Sequence, residues 1–178
     1  MPYSYRLPFT CAELRNLASR YEPVFKDDLK DIRAAVRTRG YLKRQEFLRI
    51  GDWKTKRVRR GRERNPTEYV AAITKAAFES TSERFRIEVL TLLDGVAWPT
   101  ASVILHFAKN PTYPILDVRA LWSLGCGAGP HTYDFSFWWS YVEFCRRTAK
   151  RCQVSVRDLD KALWQYSNEN QGPLAGNT

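Results

Sequence analysis

The chain is predicted to be all-α, built as two small helical lobes packed together. Three observations lead there: helix-start signals recur along the chain, apolar residues repeat at i, i+3, i+4 and i+7, and strand-like alternation is nearly absent. Apolar residues make up 44% and aromatics 13% of the 178 residues, enough for a full hydrophobic core in a chain of this length. Residues 1–167 are expected to form one helical domain, with 168–178 (NENQGPLAGNT) as a frayed tail.

Thr10 and Glu13 make a T-x-x-E capping box ahead of Leu14 and Leu17. A second helix is expected over Val24 to Arg39, with Gly40 as its C-terminal cap. A third spans Tyr41 to Ile50 and stops near Gly51. Asn65-Pro66 opens a fourth, with Val70, Ile73 and Ala77 on one face. Ser80 and Glu83 are expected to box the start of Phe85 to Leu93. In the last third, Phe135, Trp138, Trp139, Val142, Cys145 and Ala149 share one helical face, and Val156, Leu159, Leu163 and Tyr166 follow the cap candidate Ser155.

The formal charge is +10, from 29 Lys+Arg against 19 Asp+Glu. Such an excess costs self-repulsion and favours a polyanionic partner. Nucleic acid is the first candidate and a membrane surface the second. No apolar run approaches the roughly 18 residues of a membrane span, so no membrane partner is expected. The first 20 residues carry Arg6, Glu13, Arg15 and Arg20 and do not resemble a signal peptide. Cys11, Cys126, Cys145 and Cys152 form no C-x-x-C pair, and His106 and His131 are the only histidines. A metal site is therefore not expected, and the thiols are expected to be reduced in a cytoplasmic protein.

The segment Lys54 to Arg64 holds seven cations: Lys54, Lys56, Arg57, Arg59, Arg60, Arg62 and Arg64. It is either a solvated helix face or a surface that tracks phosphates. Trp53 at its edge is either a stacking or wedging aromatic or a core anchor.

Residues 90–125 carry the most information. An apolar helix ends at Asp94-Gly95, a tight turn runs Gly95-Val96-Ala97-Trp98, and Pro99 suits the first turn of the next helix. The result is helix, short hairpin, helix, whose turn amides are a natural seat for a phosphate oxygen. Leu93-Asp94-Gly95-Val96-Ala97-Trp98-Pro99-Thr100-Ala101, followed by Val103, Ile104 and Leu105, resembles the hairpin of helix-hairpin-helix DNA glycosylases, which include endonuclease III-like enzymes. The family pattern is roughly L-P-G-V-G-x-K-T-A. An essential aspartate follows the hairpin at a helix start, and Asp117, 18 residues past Pro99, matches that spacing. The match covers residues 85–125, with a looser likeness of Ile50-Gly51-Asp52-Trp53-Lys54 to a wedge-bearing loop.

The resemblance implies a divergent glycosylase-like fold, with the hairpin at about 85–109 and the two C-terminal helices in the second lobe. It implies double-stranded DNA as partner, with Gly95, Val96, Ala97, Trp98 and Thr100 of the hairpin binding it. Trp53, Lys54, Lys56, Arg57, Arg59, Arg60 and Arg119 are further DNA-binding candidates; Arg119 is equally a candidate for a surface salt bridge. It implies Asp117 as the catalytic carboxylate, stabilising the oxocarbenium-like state as a damaged or modified base departs; Asp117 also suits the N-cap of a helix over Val118 to Leu124.

Pro99 stands where bifunctional members have a nucleophilic lysine. The expected enzyme is thus a monofunctional glycosylase using water, without lyase activity and with no cofactor. The four cysteines lack the clustering of an iron–sulfur site. Ala97 and Asp94 replace the family's glycine and proline. Together with Pro99 they motivate an alternative: a catalytically inactive DNA-binding module on the same fold. An RNA- or protein-binding helical domain is the third reading. His106 is expected as a hydrogen-bonded core residue and His131 as a loop residue. Tyr113, Trp98, Trp122, Trp138 and Trp139 are candidates for a base pocket or for core, with Trp98 singled out by its place at the hairpin.

Overall fold

The computed structural model describes residues 3–22, 29–127 and 132–171. All regular structure among them is helical. Two compact units are present. One combines the residues up to Glu22 with those from Leu116 onward; the other lies between Pro23 and Ile115. No described helix is long and apolar enough to cross a membrane.

The first unit contains α1 (Cys11–Arg20) and, from further along the chain, the helices Val118–Ser123, Phe135–Cys152 and Val156–Asn170. Thr10 caps α1 as the sequence predicts: its Oγ1 accepts from Glu13 N (3.3 Å), and Glu13 Oε2 accepts from Thr10 N (2.7 Å). Leu14 and Leu17 then face the Val156–Asn170 helix. Asp134 and Ser155 cap the two long C-terminal helices through Phe137 N (2.8 Å) and Asp158 N (3.0 Å). Trp138, Tyr141, Val142, Cys145, Leu159 and Leu163 are buried between these elements. Each large apolar side chain so buried contributes roughly 1.5–3 kcal/mol.

The second unit holds α2 (Lys30–Arg39), α3 (Arg44–Lys54), α4 (Arg59–Arg62), α5 (Thr67–Glu79), α6 (Glu83–Leu90) and α7 (Trp98–Ile104). A π-helical turn, Leu105–Lys109, continues α7. The remaining helices of the first unit are accordingly α8 (Val118–Ser123), α9 (Phe135–Cys152) and α10 (Val156–Asn170). Gly40 closes α2 at φ +88° and donates to Val36 O (2.7 Å). Arg33 of α2 caps the exit of the π turn, donating from Nη2 to His106 O (2.8 Å) and from Nε to Phe107 O (3.2 Å). Cations commonly satisfy such carbonyls at helix ends. Desolvation lowers the Arg33 pKa.

Several expectations need correction. The second helix begins at Lys30 rather than Val24; residues 24–28 of the expected span lie outside the described residues. The third starts at Arg44, later than Tyr41, and runs through Gly51 to Lys54. Gly51 is not a terminator because its missing side chain serves packing, described below. The cap of α6 is Ser82, whose side chain accepts from Phe85 N (3.2 Å). Ser80 is occupied at the end of α5, where its Oγ accepts from Ser82 N (3.0 Å). Glu83 turns instead to the Tyr113 hydroxyl, which donates to it at 2.8 Å, and to Arg86 Nη1 (2.7 Å). α6 ends at Leu90, short of Leu93.

The expected tail at 168 begins too early, since α10 continues through Asn170. Glu169 holds that last turn by accepting from Gln165 Nε2 (2.7 Å) and pairing with Arg20 Nη2 of α1 (2.9 Å). The remainder of the expected tail, 172–178, lies outside the described residues.

The expectation of four free thiols fails as well. Cys11 and Cys152 form a disulfide across 141 residues of sequence, while Cys126 and Cys145 are thiols. Cys–Cys spacing carried no sign of it. The first residue of α1 meets the last of α9 only once both helices have found their places in the unit, where Arg15 Nη2 also donates to Cys152 O (2.9 Å). Replacing the half-buried Cys11 by serine is expected to lower unfolding stability by about 2–5 kcal/mol, because a long loop is released in the unfolded chain. Denaturant titration checks this, and a reductant should bring the wild type to the level of Cys11→Ser. Equal stability of the oxidised wild type and Cys11→Ser would mean that the sulfurs are not joined in solution.

Candidate nucleic-acid interface

The basic segment spans the end of α3, a short loop and α4. Lys56, Arg57, Arg59 and Arg60 are exposed, and Lys54 is half-buried. Arg62 behaves differently from its neighbours: its side chain is 0% exposed. Nη2 donates to Asp52 Oδ1 (2.9 Å) and Thr55 O (2.6 Å). Nε and Nη1 are buried with no hydrogen-bond partner among the described residues. Desolvation, and then the nearby Arg59 charge, lower the Arg62 pKa.

Two glycines make room for this side chain. A Cβ on Gly51 of α3 would overlap the guanidinium Nε. A Cβ on Gly95 in the hairpin turn would stand 2.8 Å from Arg62 Cγ and 2.9 Å from Arg62 N. Gly95 also adopts φ +72°, a region that glycine occupies at little steric cost. Arg62 therefore lies between α3 and the hairpin, in contact with the backbone of both.

Buried Asn65 adds a second clamp. Its Nδ2 donates to Arg62 O (2.9 Å) and Asp94 O (3.0 Å), and its Oδ1 accepts from Asp94 N (2.9 Å). The hairpin turn is thus hydrogen-bonded to the basic segment. Arg62 and Asn65 were absent from the sequence-derived site. The signal was Gly51 and Gly95, two glycines flanking a cation run, whose purpose depends on a contact between distant segments.

In the hairpin, Val96 and Thr100 are buried, so their side chains are part of the packing. Val96 N donates to Leu93 O (3.1 Å). The amides of Gly95 and Ala97 donate to no acceptor among the described residues. Ala97 sits at φ −97°, so alanine in place of glycine carries no backbone strain here. Trp98 and Pro99 open α7, both half-buried. The Asp94 carboxylate accepts from Arg64 Nε (3.1 Å), which offsets its charge beside the turn.

Other cations are offset too. Arg59 pairs with Asp52 and, at 2.8 Å, with Glu63. Arg57 and Arg60 form no side-chain ion pair or hydrogen bond among the described residues. Trp53 is half-buried and packs edge-on to Phe107 at 4.8 Å between ring centroids.

The structure brings the basic segment and the hairpin together in the second unit, while Asp117 and Arg119 belong to the first. Asp117 caps α8: its Oδ1 accepts from Arg119 N (2.9 Å). Its charge, after burial, helps raise the pKa of the Tyr133 phenol. Arg119 stacks over Trp164 at 5.3 Å and reaches Ser167 Oγ (3.4 Å), an internal engagement rather than a surface salt bridge.

Of the remaining candidates, His106 is buried with Nδ1 2.7 Å from Tyr113 O, the expected core histidine. Trp138 is fully buried, Trp139 stacks on Phe135, and Trp122 tilts against Tyr166. Tyr113 is buried in its network with Glu83 and Arg86. His131 lies outside the described residues. Among the described residues, no group of three His, Cys, Asp or Glu side chains is placed to hold a metal ion.

The chain matches no family model, no curated protein and no solved structure.

The glycine packing predicts a graded mutational response. Gly51→Ala should cost about 1–3 kcal/mol by overpacking against Arg62. Gly95→Ala should cost more than Gly125→Ala. Both adopt positive φ, but a Cβ at Gly125 meets nothing within 4 Å, so that variant isolates the backbone term of roughly 1–2 kcal/mol. Denaturant unfolding of the three variants measures the difference. Equal losses at Gly95 and Gly125 would show that the hairpin does not rest on Arg62.

Proposed function

We propose that this chain binds duplex DNA through the Lys54–Arg60 segment and the hairpin turn, and that it hydrolyses the N-glycosidic bond of a damaged or modified base with Asp117. One observation carries the binding proposal: Arg62 and Asn65 fasten the turn to a cation-rich segment, so that the open amides of Gly95 and Ala97 belong to the same rigid assembly as the exposed arginines. Backbone amides and guanidinium groups are the donors that proteins use to hold a nucleic-acid backbone. Seven cations face only three carboxylates here: Asp52, Glu63 and Asp94. Asp52, Glu63 and Asp94 engage Arg59, Arg62 and Arg64, and Lys54 and Lys56 have contacts of their own, which leaves Arg57 and Arg60 as the principal phosphate ligands.

Asp117 supports the enzymatic half of the proposal by its place. It stands at a helix start 18 residues past Pro99, as the resemblance requires. Its carboxylate would stabilise positive charge at C1′ as the C1′–N bond breaks. The base leaves with the bonding electrons, water adds to C1′, and the proton released from water balances the departing base. Pro99 offers no amine, so no Schiff base and no strand cleavage by a lyase step are expected.

Binding should be strongly salt-dependent. The slope of log K against log[salt] should fall in magnitude by about 1.8 in the Arg57→Gln/Arg60→Gln double variant, at about 0.9 per phosphate contact. Fluorescence anisotropy on a labelled duplex reads it, and an unchanged slope removes these two arginines from the interface.

Catalysis is tested separately. Duplexes carrying alkylated, oxidised, deaminated or mismatched bases are incubated with the protein and then treated with hot alkali, which cleaves at abasic sites. The wild type should yield cleaved strand on one lesion class and Asp117→Asn none. Asparagine still caps a helix, so folding and duplex affinity should survive. Product from Asp117→Asn equal to the wild type excludes Asp117 from the chemistry. No product from either protein, with duplex binding intact, leaves the binding module as the function.

A further inference from the structure

A groove of about 450 Å³ opens beside the hairpin. Val58, Val96, Ala97 and Pro99 supply its apolar wall, and Lys54 and Thr55 supply polar atoms. Its size falls in the range typical of sites for small organic groups, about 300–1,000 Å³. The feature that asks for an explanation is Val58. It stands between Arg57 and Arg59 in the most cationic stretch of the chain and is 44% exposed. The fold uses its backbone, since Val58 O accepts from Gly61 N (3.1 Å) and Arg62 N (3.3 Å). Those bonds make no demand on its side chain, and a lysine or serine would form them as well.

The occupant has to suit both the wall and its surroundings. Arg57 and Arg60 flank Val58 in sequence without internal carboxylate partners, so the ligand is anionic as a whole yet offers an apolar face. An unpaired nucleotide has that character: its phosphates are charged and its base has two apolar faces. In an intact duplex those faces are stacked away. We propose that this groove seats an unpaired nucleobase, its face against Val58 and Pro99 and its flanking phosphates on Arg57 and Arg60. The inference rests on the DNA-binding reading above and extends it to a class of substrate: DNA with a strand end or gap that leaves bases unpaired. Groove polar groups are few, so selection among the four bases is weak.

The experiment holds charge constant. One labelled duplex carries a 3′ overhang of three thymidines, and a second carries an overhang of three abasic tetrahydrofuran residues with the same phosphates. Burying about 40 Å² of base on the apolar wall, at roughly 25 cal/mol per Å², gives about a fivefold tighter Kd for the thymidine overhang. Val58→Asn should bring that ratio to one; because the ratio compares two DNAs of equal charge on the same variant, any change in duplex affinity cancels, and circular dichroism confirms that this exposed substitution folds. Equal affinity of the wild type for the two overhangs, with duplex binding intact, overturns the groove assignment alone. Persistence of the ratio in Val58→Asn overturns it too. Failure to bind any of the DNAs overturns the groove and the DNA-binding proposal together.

Discussion

The second unit is organised around one buried cation. Arg62 sits at zero exposure with a single guanidinium nitrogen making both of its hydrogen bonds. Burying such a charge is costly, and two nitrogens without partners add to the cost. What offsets it is geometric. The side chain fills the space left by Gly51 and Gly95, Asp52 supplies the countercharge, and Asn65 ties the same stretch of backbone to Asp94. Helix α3, helix α4 and the hairpin turn are thereby fixed to each other through a few short contacts. A larger residue at either glycine displaces the guanidinium, and with it the turn.

This arrangement changes how the charge of the basic segment should be counted. A run of seven Lys and Arg suggests a uniform positive stripe. In the folded protein the run divides. Arg62 is structural, Arg59 and Arg64 are engaged by carboxylates, Lys54 and Lys56 have contacts of their own, and Arg57 and Arg60 form no side-chain ion pair or hydrogen bond among the described residues. Exposed ion pairs are worth little to stability, about 0–1 kcal/mol, so the Arg64–Asp94 pair adds little to the fold. Asp94 is not an isolated negative charge at the turn, and Ala97 needs no glycine-only conformation. Both departures from the hairpin pattern are thus compatible with a working turn.

In the first unit the Asp117 carboxylate is held at a helix start. Asp117 closes the N-terminus of α8, a role sufficient to retain a carboxylate or amide there. The same geometry holds the carboxylate in a defined orientation, a prerequisite for electrostatic catalysis. Arg119, two residues on, takes the opposite course: stacked on Trp164 and bonded to Ser167, it is committed to the packing of α8 on α10. The Cys11–Cys152 bond ties the start of α1 to the end of α9 within the same unit.

Local chemistry was legible in the sequence wherever the deciding partner lay within a few residues. The Thr10–Glu13 box, the left-handed Gly40 cap, the Asp117 and Ser155 caps and the amphipathic faces of α9 and α10 all depend on separations of one to four residues, and each was found where spacing placed it. The all-helical class follows from the same periodicity. Gly51 misled because its partner is distant: it gives way to Arg62. Ser80 misled although its partner is local, because Ser82, two residues on, competes for the same cap and takes it. The disulfide, the internal Arg62, the Asn65 clamp and the groove at Val58 were decided by the tertiary structure. Their contacts join residues from three to 141 positions apart, and no local pattern encodes which of many cations, cysteines or glycines will meet. The sequence by itself determined the all-helical class and those helix ends whose caps are local, at Thr10, Gly40, Asp117 and Ser155. Only packing determined which polar groups would be withdrawn from solvent, because burial is a property of the assembled unit and not of any residue in it.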